Sequence, residues 1–518
     1  MVNTMAFIVE QKIKGNIYLY NVESYWDKEK KQSRQKRTYI GPKNRSKKGR
    51  NSKICNIVNR KFGNIFLLNH VAEKLGLTSL LKELFGELCI DVLNLAYFFI
   101  CDERASYLYA YWLNEHHTPL ARRLNSEDIS AVYQEVGENQ RAVSEFFERW
   151  VSLCSPSSGI YFDITSISSY STNIDFVEWG YNRDHEDLPQ VNMGIVCTKE
   201  SELPLFYQVY PGSIADVSTL NNCLKRLEWL GIKDVILVLD RGFCSKANIV
   251  KLNAMKDKIS FIQPMTYSLK IVKLLIKKHC KHVQRMQNLF KFNEEILYHL
   301  DTSVELDGNS FKAHIYYNEK AGVDLRHGFL ARLLDIEKEI GSQKFESMKE
   351  YLNFRRERIP SKDVTFFKLD RKHMTIVRNT RTISEHLERA GYLLFLSNSQ
   401  ALNRDSMLDY YRSRDIVEKM FDVEKNQLDG KRLRAHTPYN ADGRIFVKFV
   451  ALILHSYLSK DMKTSELFRQ YSAREMFAEL GKIRRSAIGK EIVISEISKS
   501  QRGILKAFGI TPEMVTQT

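Results

Sequence analysis

The chain has 518 residues, 43% of them hydrophobic. That is too long for a single hydrophobic core, implies about three domains, and argues against a disordered chain. There are 78 Lys and Arg against 62 Asp and Glu, a net +16 at pH 7, and residues 1–60 alone hold 15 basic and 4 acidic residues. A local block of +11 is the footprint of a polyanionic partner or of a solvated basic tail, and charge alone does not separate the two.

No apolar run reaches 18 residues, and the first residues, MVNTMAFIVEQKIKG, carry no signal pattern. No membrane partner is expected, and the reading places the chain in the cytoplasm. Eight cysteines, at 55, 89, 101, 154, 197, 223, 244 and 280, form no C-x-x-C pair. This speaks against a zinc site and for a reducing compartment with most cysteines buried.

In chain order, residues 5–40 alternate apolar and polar, with Lys14-Gly15-Asn16 as a hairpin turn between strands. The basic stretch Gly41–Lys53 reads as a linker. Residues 1–59 form the basic N-terminal segment, and 60–155 change to helical spacing, a small helical domain punctuated by Gly76 and Asn114–Thr118. Residues 156–268 predict three strands (Gly159 onward, Gln190–Thr198, Leu203–Pro211), a helix, the strand Asp234–Asp240, a helix capped by Ser245, and a strand at Ile259–Pro264. That is the order of a ribonuclease-H-like sheet. Residues 269–400 read as an α+β insertion. Residues 401–458 predict a long amphipathic helix from Asp405 to Leu428, followed by a mostly apolar core helix. Residues 459–518 read as a basic helical tail. The fold class is therefore α/β.

Three acids stand out. Asp163 lies mid-strand in G-I-Y-F-D-I-T, sharing a face with Tyr161 and Thr165. A carboxylate there is costly unless paired, exposed or bound to a cation. Taken alone, the pattern reads first as the solvent face of an edge strand. Asp240 follows V-I-L-V-L, a run without alternation that reads as a strand buried on both faces in a parallel region. Ligands of open α/β sheets gather at such carboxyl ends, although a capping Asp is the plain alternative. Tyr411, Arg414, Glu418 and Lys425 lie at offsets 0, 3, 7 and 14. At about 100° per residue they share an arc of about 60°, opposite Ile416, Val417, Met420 and Val423. An acid flanked by cations and a phenol suits a phosphodiester, the acid holding a metal and the cations holding phosphate oxygens. Helix-spaced surface charge gives the same period.

The spacing Y-x2-R-x3-E-x6-K, here Tyr411, Arg414, Glu418 and Lys425, resembles the Tyr-Arg-Glu-Lys signature of DDE transposases of the insertion-sequence-four type. L-D-R-G-F, holding Asp240, is similar to that family's second-aspartate motif, and Y-F-D-I-T, holding Asp163, to its first. The stretches 180–194 and 211–220 resemble the blocks between them. In this chain 77 residues separate the two aspartates and 178 separate Asp240 from Glu418, the second gap matching the family's inserted domain. The resemblance covers roughly residues 60–510.

The resemblance implies a metal-dependent transposase that cuts DNA at the ends of a mobile element and joins it to a target. Asp163, Asp240 and Glu418 are its implied catalytic residues and metal ligands, holding two Mg2+ ions for which Mn2+ substitutes. Tyr411, Arg414, Lys425 and Arg241 are its implied phosphate contacts. The implied partners are double-stranded DNA, as terminal inverted repeats and target, and a second copy of the chain when DNA-bound, with nucleoid association in that state. In one departure, relatives that stack a flipped base on a tryptophan of the insertion have no counterpart here. The five tryptophans are 26, 112, 150, 179 and 229, leaving Tyr316, Tyr317, Phe366 or Phe367 for that task. Two other readings are a non-transposing ribonuclease-H-like nuclease and a non-catalytic DNA-binding protein derived from a transposase.

Overall fold

The computed structural model describes residues 6–14, 16–27, 29–43, 57–102, 104–118, 120–341, 343–488 and 491–517. The chain is mixed α/β and divides into two compact units, Met1–Val58 with Ala487–Ile492, and Asn59–Ser486 with Val493–Thr518.

In the first unit, strands β1 (Ala6–Ile13), β2 (Asn16–Asp27) and β3 (Gln32–Pro42) form an antiparallel sheet in that order. The β1–β2 register runs from Ala6↔Glu23 to Ile13↔Asn16, so the expected hairpin forms; its Gly15 lies outside the described residues. Val22 is buried, while Phe7, Tyr25 and Trp26 are exposed. Gly41 and Pro42 finish β3 rather than opening a linker, because Leu19↔Gly41 and Tyr18↔Pro42 pair across the sheet. Residues 44–53 of the expected linker lie outside the described residues.

The short strand β4 (Ile57–Lys61) spans the division at Val58, and in the second unit it leads into six helices between Gly63 and Cys154. These enclose the helix Pro438–Thr464, whose buried residues run from Ala441 to Met462. Phe446 packs against Phe85 and Phe146 at ring-centroid distances of 5.3 and 5.0 Å. This helix crosses Ser126–Glu138 very closely. A Cβ on Gly443 would lie 1.8 Å from the Tyr133 carbonyl oxygen, and one on Gly137 1.9 Å from that of Tyr439, so only glycine fits either position. Long and apolar as it looks, neither this helix nor any other among the described residues is long and apolar enough to cross a membrane.

The central sheet begins as an antiparallel meander of β5 (Gly159–Ser168), β6 (Gln190–Thr198) and β7 (Pro204–Pro211). Strands β8 (Val235–Leu239) and β9 (Ile259–Pro264) then add in parallel beside β5. The spatial order β7-β6-β5-β8-β9 is consistent with the ribonuclease-H-like order expected from the strand and helix signals. The sheet does not stop there. Beyond β9 it continues through β15 (Tyr392–Ser397), β12 (Asn309–Tyr317), β11 (Glu295–Leu306) and β10 (Leu289–Phe292), nine strands in all. The register Phe395↔Pro264 and Leu396↔Gln263 makes the join. Strands of the expected insertion thus extend the core sheet. The helices Glu319–Ile340, Met348–Arg358 and Thr380–Glu388 and the hairpin β13 (Phe367–Asp370) and β14 (Thr375–Arg378) pack a small core of their own around Phe329, Leu333, Ile336, Phe366 and Ile383.

Two expectations need correction. The long helix Asp405–Leu428 is two helices, Arg404–Arg412 and Asp415–Asn426. The tail after 459 is not wholly helical: Arg484–Ile488 and Glu491–Ile494 are strands, because the basic residues around them hide the β-branched Ile-Val-Ile. The seven described cysteines are all free, with Cys89, Cys197 and Cys223 buried and the other four half-buried.

Candidate active site

β5 is a central strand between β6 and β8, so its solvent-face reading does not hold: nine of its ten residues are buried and Asp163 is the one that is not. Asp163 keeps about a fifth of its side chain exposed and accepts a hydrogen bond from the Ile164 N–H at 2.8 Å. Burial pushes its pKa up to about 6, against the pull of the Arg414 charge; the nearby Asp240 carboxylate adds to the rise.

Asp240 stands at the carboxyl end of β8, one strand over. Its Oδ2 accepts from the Gly242 N–H at 3.3 Å, which caps a short turn over Arg241–Phe243. The following helix has its own cap: Ser245 Oγ accepts from the Asn248 N–H at 3.1 Å. Asp240 is therefore a cap only of the tight turn that aims it across the sheet edge.

The third acid arrives from the broken helix. Ser413 Oγ donates to the Asp409 carbonyl at 2.8 Å, a bond that bends helices, and the chain then tightens to i→i+3 bonds, with Arg414 N–H to Tyr411 O at 3.2 Å and Val417 N–H to Arg414 O at 3.1 Å. Arg414 sits at that joint. Glu418 lies in the first turn of the next helix, whose N-terminal dipole favours an acid. Ile416 and Met420, on the opposite side of this helix, are buried, as are Val417 and Phe421.

The three acids converge on one guanidinium. Arg414 Nη1 is 3.1 Å from Asp163 Oδ2 and 3.4 Å from Asp240 Oδ1, and Nη2 pairs with Glu418 Oε1. Burial opposes the Arg414 charge, but Asp240, Asp163 and Glu418 outweigh it and raise its pKa. The donor set fits a hard divalent cation: three carboxylates within ion-pair reach of a single side chain. In the present side-chain arrangement no three His, Cys, Asp or Glu among the described residues stand close enough to hold one ion; Arg414 stands among them instead.

Of the other expected site residues, Tyr411 and Arg241 join this group and Lys425 does not. Tyr411 packs on Phe395 at 4.6 Å. Burial raises its pKa, and Arg414, Arg241 and Asp240 all act on its hydroxyl. Arg241 lies over the Tyr267 ring at 5.3 Å and lines a cavity of 890 Å3 together with Arg332, Arg389, Arg412 and Phe329. Lys425, two turns beyond Glu418, is ion-paired to Asp184 at 2.7 Å. Tyr316, Tyr317, Phe366 and Phe367 are all buried, as core residues.

The sequence pattern marked the block 180–194 without giving its residues a role. It is a strut. Arg183 Nη1 donates to Ser166 Oγ at 3.0 Å and its Nη2 pairs with Asp216. Asp184 holds Lys425, and Glu186 holds Arg432 at 2.5 Å and accepts from Ser168 Oγ at 2.6 Å. One loop thereby ties the end of β5 to the helix bearing Glu418. The density of charge in Asn182–Asp187 was the available signal. Beneath the same helix, Glu424 is fully buried beside Lys448, whose Nζ donates to the Asp429 carbonyl at 2.5 Å, and Arg444 pairs with Asp429 at 2.9 Å.

No curated protein matches the chain by sequence. Among solved structures, the piggyBac transposase synaptic complex with hairpin DNA is similar over 81% of this chain and 70% of that one, at 10% identity and a TM-score of 0.32. The family model of the transposase DDE domain matches residues 155–454, more than half of the chain and the whole stretch from β5 through Glu418. The chain belongs to the transposase DDE-domain family.

Proposed function

We propose that this transposase uses Asp163, Asp240 and Glu418 to cut DNA strands at the ends of a mobile element and to join them to target DNA by cut-and-paste transposition, in the manner of the insertion-sequence-four type. The observation that carries the reading is the convergence of the three carboxylates on Arg414, from β5, the end of β8 and the glutamate helix.

Those carboxylates would hold two divalent cations, Mg2+ or Mn2+, which when bound supply Lewis acidity to the scissile phosphate and an activated oxygen nucleophile. Asp163 would hold them from the central strand, Asp240 from the end of β8 and Glu418 from the glutamate helix. Burial disfavours the charged form of the Asp163 carboxyl in the free chain, and a bound cation would hold it ionised. Arg414, Arg241 and Tyr411 surround the acids and would grip phosphate oxygens around the cut, the guanidinium forks by paired hydrogen bonds. Lys425 serves the same end only after leaving Asp184. The strut 180–190 holds the glutamate helix at the sheet edge. DNA end recognition falls to residues 1–155, where the basic block and the helical domain lie; residues 269–400 act as the insertion, and 401–458 complete the core. A second copy of the chain pairs the two ends.

Incubating the purified chain, Mg2+ and a plasmid carrying the gene with its native flanks tests this. Excised element and its joining to a second plasmid are expected. Nicking without joining would favour the nuclease reading, and binding without any cleavage the non-catalytic one.

A further inference from the structure

Arg414 brings one positive charge to three carboxylates. Its guanidinium reaches Asp163, Asp240 and Glu418 together and is only 15% exposed. A guanidinium stays charged at any physiological pH and presents five N–H donors in one plane. The oxygens it engages are those that the acid-site reading gives to divalent cations. Two sets of positive charge cannot share three carboxylates at this spacing without strong repulsion.

We propose that Arg414 is an exchangeable counter-cation: in the metal-free chain it neutralises and spaces the three acids, and it leaves them for a DNA phosphate as divalent cations take its place. The inference rests on the acid-site reading of Proposed function. The backbone provides a joint for the exchange, since Arg414 lies between two helices, where Ser413 bonds back to Asp409. Lys425 has no such role, being held by Asp184 away from the three acids. Because each new partner frees or captures the same guanidinium, divalent cation and DNA backbone must each raise the affinity for the other by one factor.

The test measures Mn2+ binding to the full chain from the electron paramagnetic resonance of the free ion, with and without a duplex of arbitrary sequence, after subtracting ion held by the duplex alone. Without DNA, Arg414→Gln is expected to bind Mn2+ about tenfold more tightly than wild type, since a competing charge is gone. DNA should tighten Mn2+ binding in wild type and not in Arg414→Gln. Arg414→Lys, whose single ammonium cannot span three carboxylates, should tighten it by about threefold, and carries the test if the Gln variant does not fold. Lys419→Gln removes the same charge beside Glu418 from an exposed pair with Asp415, and should change it less than about twofold. Unchanged or weaker Mn2+ binding in both Arg414 variants, with Asp163→Asn abolishing binding, overturns the counter-cation proposal alone. Equal binding by wild type and Asp163→Asn overturns the acid-site reading beneath it.

Discussion

Lys425 Nζ lies 2.8 and 2.7 Å from the two carboxylate oxygens of Asp184, so the helix that carries Glu418 is fastened to the loop that follows β5. The lysine side chain is 11% exposed and the aspartate 28%, a site sheltered enough for the pair to count. A double-mutant cycle of Asp184→Ala and Lys425→Ala on thermal stability is expected to give a coupling of about 1 kcal/mol, and either single variant should slow cleavage. Additive losses would mean the pair fastens nothing.

The buried charges beneath the same helix predict a larger effect. Burial lowers the Lys448 pKa to about 7, with the Arg444 charge adding to the fall, and burial raises that of Glu424. Replacing one member strands the others in a low-dielectric interior. Lys448→Met should cost about 3 kcal/mol or more, and the double variant with Glu424→Gln should recover part of it. Chemical denaturation of the three variants checks this; a double variant worse than the sum of its parts contradicts it.

Four histidines give the fold an acid limit. Burial lowers the pKa values of His116, His299, His314 and His455 to about 4. His299 Nε2 and His314 Nδ1 share one hydrogen bond at 3.0 Å, so the pair cannot accept two protons without losing it. Folded values lie below the unfolded ones, so the unfolded chain takes up more protons. The stabilisation is complete above about pH 6.5 and is lost as pH falls toward 4, by at least about 3 kcal/mol for the four together. Melting temperature should drop across that window, and His455→Gln should flatten the slope. A melting temperature that held or rose from pH 6.5 to 4 would contradict the assignment.

The basic N-terminal segment predicts a salt effect. Residues 1–60 carry 15 basic and 4 acidic residues, and β1–β3 expose Tyr25, Trp26 and Tyr39. Removing residues 1–53 should weaken duplex binding broadly and reduce the log–log salt slope by about 0.9 for each phosphate that the shortened chain no longer neutralises. An unchanged slope would make the segment a solubilising tail.

Much of the site was legible because strong local signals coincide there. The unbroken apolar run before Asp240 marks a strand buried on both faces, and the polar arc through Glu418 marks a helix edge. The break at Ser413–Arg414 was not legible, since both residues keep helical backbone angles and the bend comes from one side-chain bond to Asp409. Nor was the partner of Lys425, 241 residues away in sequence. The extension of the core sheet by β10–β12 and β15 was hidden for a similar reason: periodicity reveals a strand and says nothing of which edge it joins. For Asp163 an acid sharing a face with Tyr161 and Thr165 suggested an edge, whereas the strand is central and the carboxylate is kept by the Arg414 charge and the Ile164 N–H.

The most direct measurement is strand cleavage by the full chain in Mg2+, on a plasmid with the gene's native flanks, for wild type, Asp163→Asn, Asp240→Asn and Glu418→Gln, with duplex binding and melting temperature measured alongside. Each substitution keeps size and removes charge. The account predicts that every one abolishes cleavage, by about three orders of magnitude or more, while duplex binding and folding persist. Near-wild-type cleavage by any one of these folded, DNA-binding variants would remove that residue from the active site and contradict the three-carboxylate assignment.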